Sequence, residues 1–261
     1  MAPAEPSPVR RLRIVGPGRA GGALAGALAA AGWSVAEPVR RGDDPRRAAD
    51  DVDLVVIATP DASIAEVAAA IDPDDRVVIA HLSGSLGLDV LEPHVRRAGL
   101  HPLVALPEPV VGAQRLGANA WFGVAGDPMA FEVVDALGGR AFVVDDDHRT
   151  LYHAAACIAS NHLVALLAHA ERVAAAAGAP AEAYGALVRA TVDNVDALGT
   201  RAALTGPVAR GDDATVDRHR AALARALPEE LVHYDAGVAM ARRLVDPADD
   251  AASDPAAGRA P

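Results

Sequence analysis

The chain has 261 residues, enough for one large or two modest domains around a real core. Its net charge of −11 argues against nucleic acid and anionic membrane surfaces as partners. Cys157 is the single cysteine, which excludes an internal disulfide and fits a reducing, cytoplasmic setting.

Residues 1–9 (MAPAEPSPV) read as a disordered tail. Arg10 and Arg11 do not open an export signal, because Leu12–Val15 is the whole apolar stretch before glycines and Arg19 intervene. That stretch reads as a strand running into Gly16, Gly18 and Gly21 in GxGxxG spacing, followed by an Ala/Leu-rich helix from about residue 20. Gly16 permits the tight turn, Gly18 lets backbone approach a pyrophosphate, and Gly21 lets helix pack close on strand. Arg19 and Ala20 open the helix, whose N-terminal N–H groups and positive dipole end face the phosphates. A glycine loop in this context predicts dinucleotide binding; the alternative is a glycine-rich turn without a ligand.

Further strands are expected at Trp33–Val39, Asp53–Ala58, Arg76–Leu82, Leu100–Leu106, Trp121–Ala125 and Ala141–Val144. Helical stretches at 20–31, 61–71, 86–98 and 127–138 lie between several of them. Strands alternating with helices predict a mostly parallel, doubly wound sheet, an α/β Rossmann domain over residues 10–147. After the acidic turn Asp145–Asp147 the strand signal stops. Stretches 148–177, 181–201, 213–227 and 229–245 are rich in Ala, Leu and Val, and predict an all-α domain over 148–245. Residues 246–261 read as a second disordered tail. No apolar run is read as reaching membrane-spanning length. The helical domain is rich enough in apolar residues to predict a homodimer built through it.

The second strand ends in Arg40-Arg41, where an NAD enzyme usually carries an acid for the ribose 2′-OH; arginines there suit a 2′-phosphate and predict NADP(H). The alternative for the pair is solvated loop charge. Thr59 and Pro60 end a buried strand and Ser63 follows, so the three are expected beside the cofactor, with helix capping as the competing role of the hydroxyls. No HExxH or CxxC pattern is present, and no metal site is expected.

On the long helix, His153, Cys157 and Asn161 stand at i, i+4 and i+8, which predicts one shared face. Histidine suits proton donation near neutral pH, and asparagine can hold a carbonyl without charge. With no lysine anywhere in the chain, no lysine can take either part. A polar pair of this kind also serves at helix caps and domain seams. Arg210, in the loop TGPVARGD (205–212), can clamp a carboxylate, and Asp212 is expected to cap the next helix. Ser83, Asn194 and His219 are weaker candidates for substrate contact, with turn, core and surface roles as their alternatives.

GPGRAGGALA (16–25), HLSG (81–84), HPL (101–103), YHAAACIASN (152–161), and TGPVARGD with His219 together resemble a family of NADP-dependent oxidoreductases. Its members join a Rossmann-like domain to a helical domain of unknown function, and some look like an alternative form of ketopantoate reductase. In the wider superfamily, which includes 6-phosphogluconate dehydrogenase, the corresponding helix carries a lysine and asparagines. By that resemblance His153 stands at the lysine's place, Cys157 at the middle asparagine's and Asn161 at the last. The resemblance implies an NADPH-dependent reductase of a small 2-keto acid, ketopantoate first. The other readings are a reductase of an imine or of another keto or hydroxy acid, and a non-catalytic NADP-binding sensor.

Overall fold

The computed structural model describes residues 9–246, so the expected tails lie outside the described residues except for Val9 and Asp246. Among these residues, β1 (Arg11–Val15), β2 (Ser34–Val35), β3 (Leu54–Ile57), β4 (Val78–His81), β5 (Arg97–Pro102), β6 (Trp121–Gly126) and β7 (Arg140–Val143) form one sheet. Its order is β2-β1-β3-β4-β5-β6-β7. Every neighbouring pair is parallel except β5–β6. The strands alternate between two apolar clusters. Leu12, Ile14, Leu54 and Val56 enter one, while Val15, Val55 and Ile57 enter the other, as a sheet covered on both faces requires. Each fully buried Leu or Ile contributes about 1.5–3 kcal/mol.

The chain leaves β1 for β2 on one side and returns to β3 on the other. This makes the carboxyl ends of β1 and β3 the topological switch point, where open α/β sheets place their ligands. Helix α1 (Arg19–Ala30) follows the glycine loop, and α2 (Ile64–Ala70) follows β3. Helix α3 (Pro109–Leu116), which sequence reading did not anticipate, packs on α1 through small residues: a Cβ on Gly112 would come within 2.7 Å of the Ala23 Cβ. The glycines and alanines of α1 are thus explained by close helix contact as well as by the loop.

Three expected elements are corrected. The strand at Trp33–Val39 shrinks to β2, with Val39 adding only a bridge to Val15, because Pro38 has no N–H for a ladder. The expected helix at 86–98 is a short 3-10 turn, Leu88–Leu91, broken by Gly87 and Pro93; its last residues begin β5. The strand expected at Leu100–Leu106 accordingly lies earlier, at Arg97–Pro102. Helix α4 (Met129–Ala136) joins β6 to β7 near its expected place.

The chain divides into two compact units, one ending at Asn161 and the other beginning at His162. The division falls beyond the acidic turn that marks it in the sequence, because α5 (Asp146–Cys157) packs against the sheet. The second unit is helical among its described residues: α6 (Leu163–Ala176), α7 (Gly185–Leu198), α8 (Thr200–Ala203), α9 (Asp213–Ala226) and α10 (Leu231–Val245). Its anchor is Glu230, 4% exposed, which accepts hydrogen bonds from Arg172 and from His169 Nδ1, tying α6 to the start of α10. The Arg172 bond, with that of His169, holds the Glu230 carboxyl down to about 2.

Much of this unit's apolar surface stays uncovered, with Leu187 62% and Val232 65% exposed. Helical residues Asp146–Ala176 also make a 31-residue stretch of mean hydropathy 1.4 over its most apolar window. By length and composition this is enough to cross a membrane, which corrects the expectation that no segment reaches that length. The stretch owes its hydropathy to alanine mixed with Leu, Ile and Val rather than to one unbroken apolar run. Among its polar members, Arg149 donates to Asp146, and His169 and Arg172 bond Glu230.

Candidate functional site

Gly16 turns at φ +86°, a left-handed conformation that favours glycine, directly after β1. A Cβ on Gly21 would lie 2.5 Å from the Gly16 carbonyl oxygen and 2.8 Å from Ile14 Cγ2, so this glycine permits α1 to press against the strand. A Cβ on Gly18 would meet no atom within 4 Å, so the space above it is open. Each glycine therefore stands where the loop chemistry requires it.

A cleft of about 790 Å³ opens at the switch point. Gly16 and Gly18 form one wall, Arg40 and Arg41 another, and Thr59, Pro60 and Ser63 a third. Both arginines are exposed; Arg40 Nη2 lies 3.9 Å from Glu37, a weak pair that leaves the guanidinium accessible. Asp43, the other acid nearby, accepts the Arg40 backbone N–H at 2.7 Å and so is occupied in holding the turn. The hydroxyls of Thr59 and Ser63 do not cap a helix. Ser63 makes no capping hydrogen bond, and Thr59 Oγ1 is shielded from solvent without a partner.

Thr59 and Pro60 also line a second cleft of about 600 Å³, together with Arg19, Ala20, Leu106, Pro107 and Ser160. The presence of Ser160 corrects the expected helical spacing. After Cys157 the helix passes through a π segment, Ile158–His162, whose wider turn breaks the i, i+4, i+8 register. Ser160 lines the cleft, while Asn161 is exposed beside it and is not among the lining residues. No pattern in the sequence marks such a segment.

The face of α5 that meets the sheet carries Arg149, Tyr152 and His153, and each fits over a glycine. A Cβ on Gly99 would come within 2.8 Å of Arg149 Nη2, one on Gly123 within 2.8 Å of the Tyr152 hydroxyl, and one on Gly84 within 2.7 Å of His153 Cδ2. Arg149 is 1% exposed; it donates to Asp146 at 3.0 Å, and its Nη1 is buried without a partner. His153 stacks edge-on against His101 with centroids 5.8 Å apart, and its Nε2 lies 3.9 Å from Cys157 Sγ. Burial holds His81 below the ordinary histidine range. Its Nε2–H donates to the Gly87 carbonyl, and Nδ1 is left unpaired.

Ser83 is 6% exposed and its hydroxyl is spent on structure. It donates to Asp61 at 2.7 Å and accepts the N–H groups of Ser85 and Leu86, tying the turn after β4 to the turn after β3. In the helical unit, Asn194 lies exposed on α7 and is not a core amide. Arg210 is exposed in the turn before α9, and Asp212 caps that helix by accepting the Thr215 N–H at 3.0 Å, as expected. His219 meets the Tyr234 hydroxyl at 2.9 Å. Sequence reading gave His101, Tyr152, Arg149 and Ser160 no role; the first three become visible only when strand register sets His101 opposite Gly123 and His81 opposite Gly99.

With the loop, clefts and α5 face placed, the chain can be compared with known proteins. Residues 121–239 match the family model described as a domain of unknown function, DUF2520. The match runs from β6 into α10 and takes in His153 and Arg210, but not the glycine loop. No curated protein matches the chain in sequence. Among solved structures, a proposed NADP oxidoreductase of Bacteroides fragilis is similar at TM-score 0.74 and 19% identity, over 90% of this chain and 98% of its own. A protein of Thermotoga maritima is similar at 0.72 and 24%, over 89% and 97%. A reductive aminase of Aspergillus terreus, solved with NADPH and ethyl levulinate, is similar at 0.66 and 18%, over 90% and 94%. These likenesses establish the fold: a Rossmann-like sheet followed by a helical region.

Proposed function

We propose that the chain is an NADPH-dependent reductase of a small carbonyl compound, a 2-keto acid such as ketopantoate being the first substrate class. The observation that carries this reading is the switch-point cleft, where an unblocked Gly18, two accessible arginines and Thr59 line one space. These residues fit a phosphorylated dinucleotide: backbone N–H groups for the pyrophosphate, Arg40 and Arg41 for the 2′-phosphate. When bound, the cofactor would supply hydride to the substrate carbon. His153 is assigned the proton for the resulting alkoxide, and Ser160 and Asn161 the orientation of substrate near the second cleft. Arg210 is assigned to a substrate carboxylate on its chemistry alone, with Asn194 and His219 as further candidates. The Aspergillus terreus aminase, solved also with cyclohexanone and allyl amine, supports a second reading, reduction of an imine formed from a ketone and an amine.

Following NADPH absorbance against a panel of 2-keto acids, and against ketones with added amine, tests both readings. Turnover of neither class, with NADPH binding intact, would leave a cofactor-binding sensor. The arginine pair is tested separately. Arg40→Ser with Arg41→Ser is expected to erase most of the preference for NADPH over NADH, since charge-assisted contacts to arginine are among the stronger hydrogen bonds. Equal affinity for the two cofactors in the unmodified protein overturns the assignment.

The uncovered helical surface is assigned to a second copy of the chain. Leu166, Leu187, Leu198 and Met240 are all more than half exposed, apolar surface that pairing of two copies would remove from water. Multi-angle light scattering at micromolar concentration is expected to give a dimer in buffer without detergent. A monomer there, or a protein that partitions into detergent micelles, counts against it.

A further inference from the structure

Arg19 follows Gly18 in the chain yet lines a different space. Gly18 lines the switch-point cleft; Arg19 is not part of that lining and borders the second cleft, of about 600 Å³. The two clefts share Ala58, Thr59 and Pro60 at the end of β3, so a molecule in the second lies beside whatever occupies the first. Every residue lining the second cleft belongs to the compact unit that ends at Asn161. Packing fixes its walls. Arg19 opens α1, which meets the start of α3 closely enough that a Cβ on Gly22 would come within 3.2 Å of Pro109. Leu106 and Pro107 lead into α3. Arg115 holds that segment by donating to the Ala105 carbonyl at 2.7 Å, and Leu106 packs on Gly112, where a Cβ would come within 3.2 Å of its Cδ2.

The chemistry of this lining is one-sided. Arg19 is its single charged residue, is exposed, and has no acid as a partner among the described residues. The acids that follow the lining segments are occupied: Asp61 accepts from the Ser83 and Ser85 hydroxyls, and Glu108 caps α3 through the Val111 N–H. Ser160 adds a hydroxyl, and Ala20, Leu106 and Pro107 give an apolar wall. We infer that Arg19 is the residue that selects a carboxylate substrate, and that the second cleft takes a small monoanionic 2-keto acid with its aliphatic tail against Leu106 and Pro107. This rests on the reductase reading, and it gives Arg19 the clamp otherwise assigned to Arg210. A guanidinium without an acid beside it attracts one carboxylate and repels a cationic iminium, and its planar N–H fork matches both carboxylate oxygens. The competing anion at this end of α1 is the pyrophosphate of the cofactor.

Steady-state kinetics of the full chain with the best 2-keto acid and with its methyl ester, alongside calorimetric titration with NADPH, separate the two anions. The unmodified enzyme is expected to favour the acid over the ester. Arg19→Gln is expected to raise KM for the acid by roughly 10–100-fold, the usual loss for a hydrogen bond to a charged group, with kcat, ester kinetics and NADPH affinity little changed. Arg19→Lys, which keeps the charge but not the fork, should recover part of the loss. Weaker NADPH binding in Arg19→Gln, with acid and ester affected alike, overturns the inference and assigns Arg19 to the pyrophosphate. A preference for the acid that survives Arg19→Gln and is lost in Arg210→Gln overturns it as well, and leaves the reductase reading standing. An unmodified protein that reduces no carbonyl compound removes the reductase reading, and with it this role.

Discussion

Replacing His153 with alanine is expected to lower turnover of the best carbonyl substrate by roughly 10²–10⁴-fold, the usual contribution of a positioned acid. The chain has no lysine to stand in, and burial holds the neighbouring His81 and His101 below the ordinary histidine range. NADPH affinity should barely change, because His153 stands over Gly84 after β4, whereas the glycine loop and the arginines lie at β1 and the segment after β2. His153→Lys is the sharper variant. Lysine has an unperturbed pKa of about 10.4 against about 6.5 for histidine, so it stays a charged acid to higher pH. The alkaline limb of the rate profile should move upward as part of the activity returns. Near-normal turnover in His153→Ala, measured by NADPH consumption across the pH range, overturns the mechanism and leaves His153 as a packing residue on Gly84.

What could be read in the sequence was what is encoded over short range. The glycine loop, the arginines after the second strand and the change from strand to helix near residue 147 each depend on neighbours a few residues apart, and the fold agrees with them. Elements failed where punctuation inside them was underweighted. Gly87 and Pro93 break the expected helix at 86–98, and Pro107 and Pro109 conceal the start of α3 in a stretch that reads as loop. The histidine cluster was hidden for a different reason. His101 and Tyr152 are 51 residues apart in sequence, and only the antiparallel pairing of β5 with β6 sets His101 opposite the glycine over which Tyr152 sits. The π segment likewise exchanges Ser160 for Asn161 at the cleft by changing the helical repeat, an effect that no residue type in the run predicts. His153 and Cys157 on one helix face were legible; the place of Asn161 after the π segment and the partners across the sheet were not.

Gly18→Val is expected to abolish dinucleotide binding while leaving the protein folded. The position separates the two effects unusually well. Gly18 has φ −75°, a conformation that any residue adopts, and a Cβ there meets no protein atom within 4 Å. The Cβ of valine therefore meets no protein atom at an ordinary φ, and unfolding profiles should nearly overlay those of the unmodified chain. The open space is where backbone N–H groups at the start of α1 would meet a pyrophosphate, and a branched side chain occupies it. Gly21→Val provides the contrast: its Cβ alone would lie 2.5 Å from the Gly16 carbonyl oxygen, so that variant should lose stability together with binding. Titration calorimetry with NADPH and thermal melts of both variants distinguish the cases. A Gly18→Val protein that binds NADPH with unchanged affinity would mean that the loop is a turn and that the cleft above it holds no phosphate.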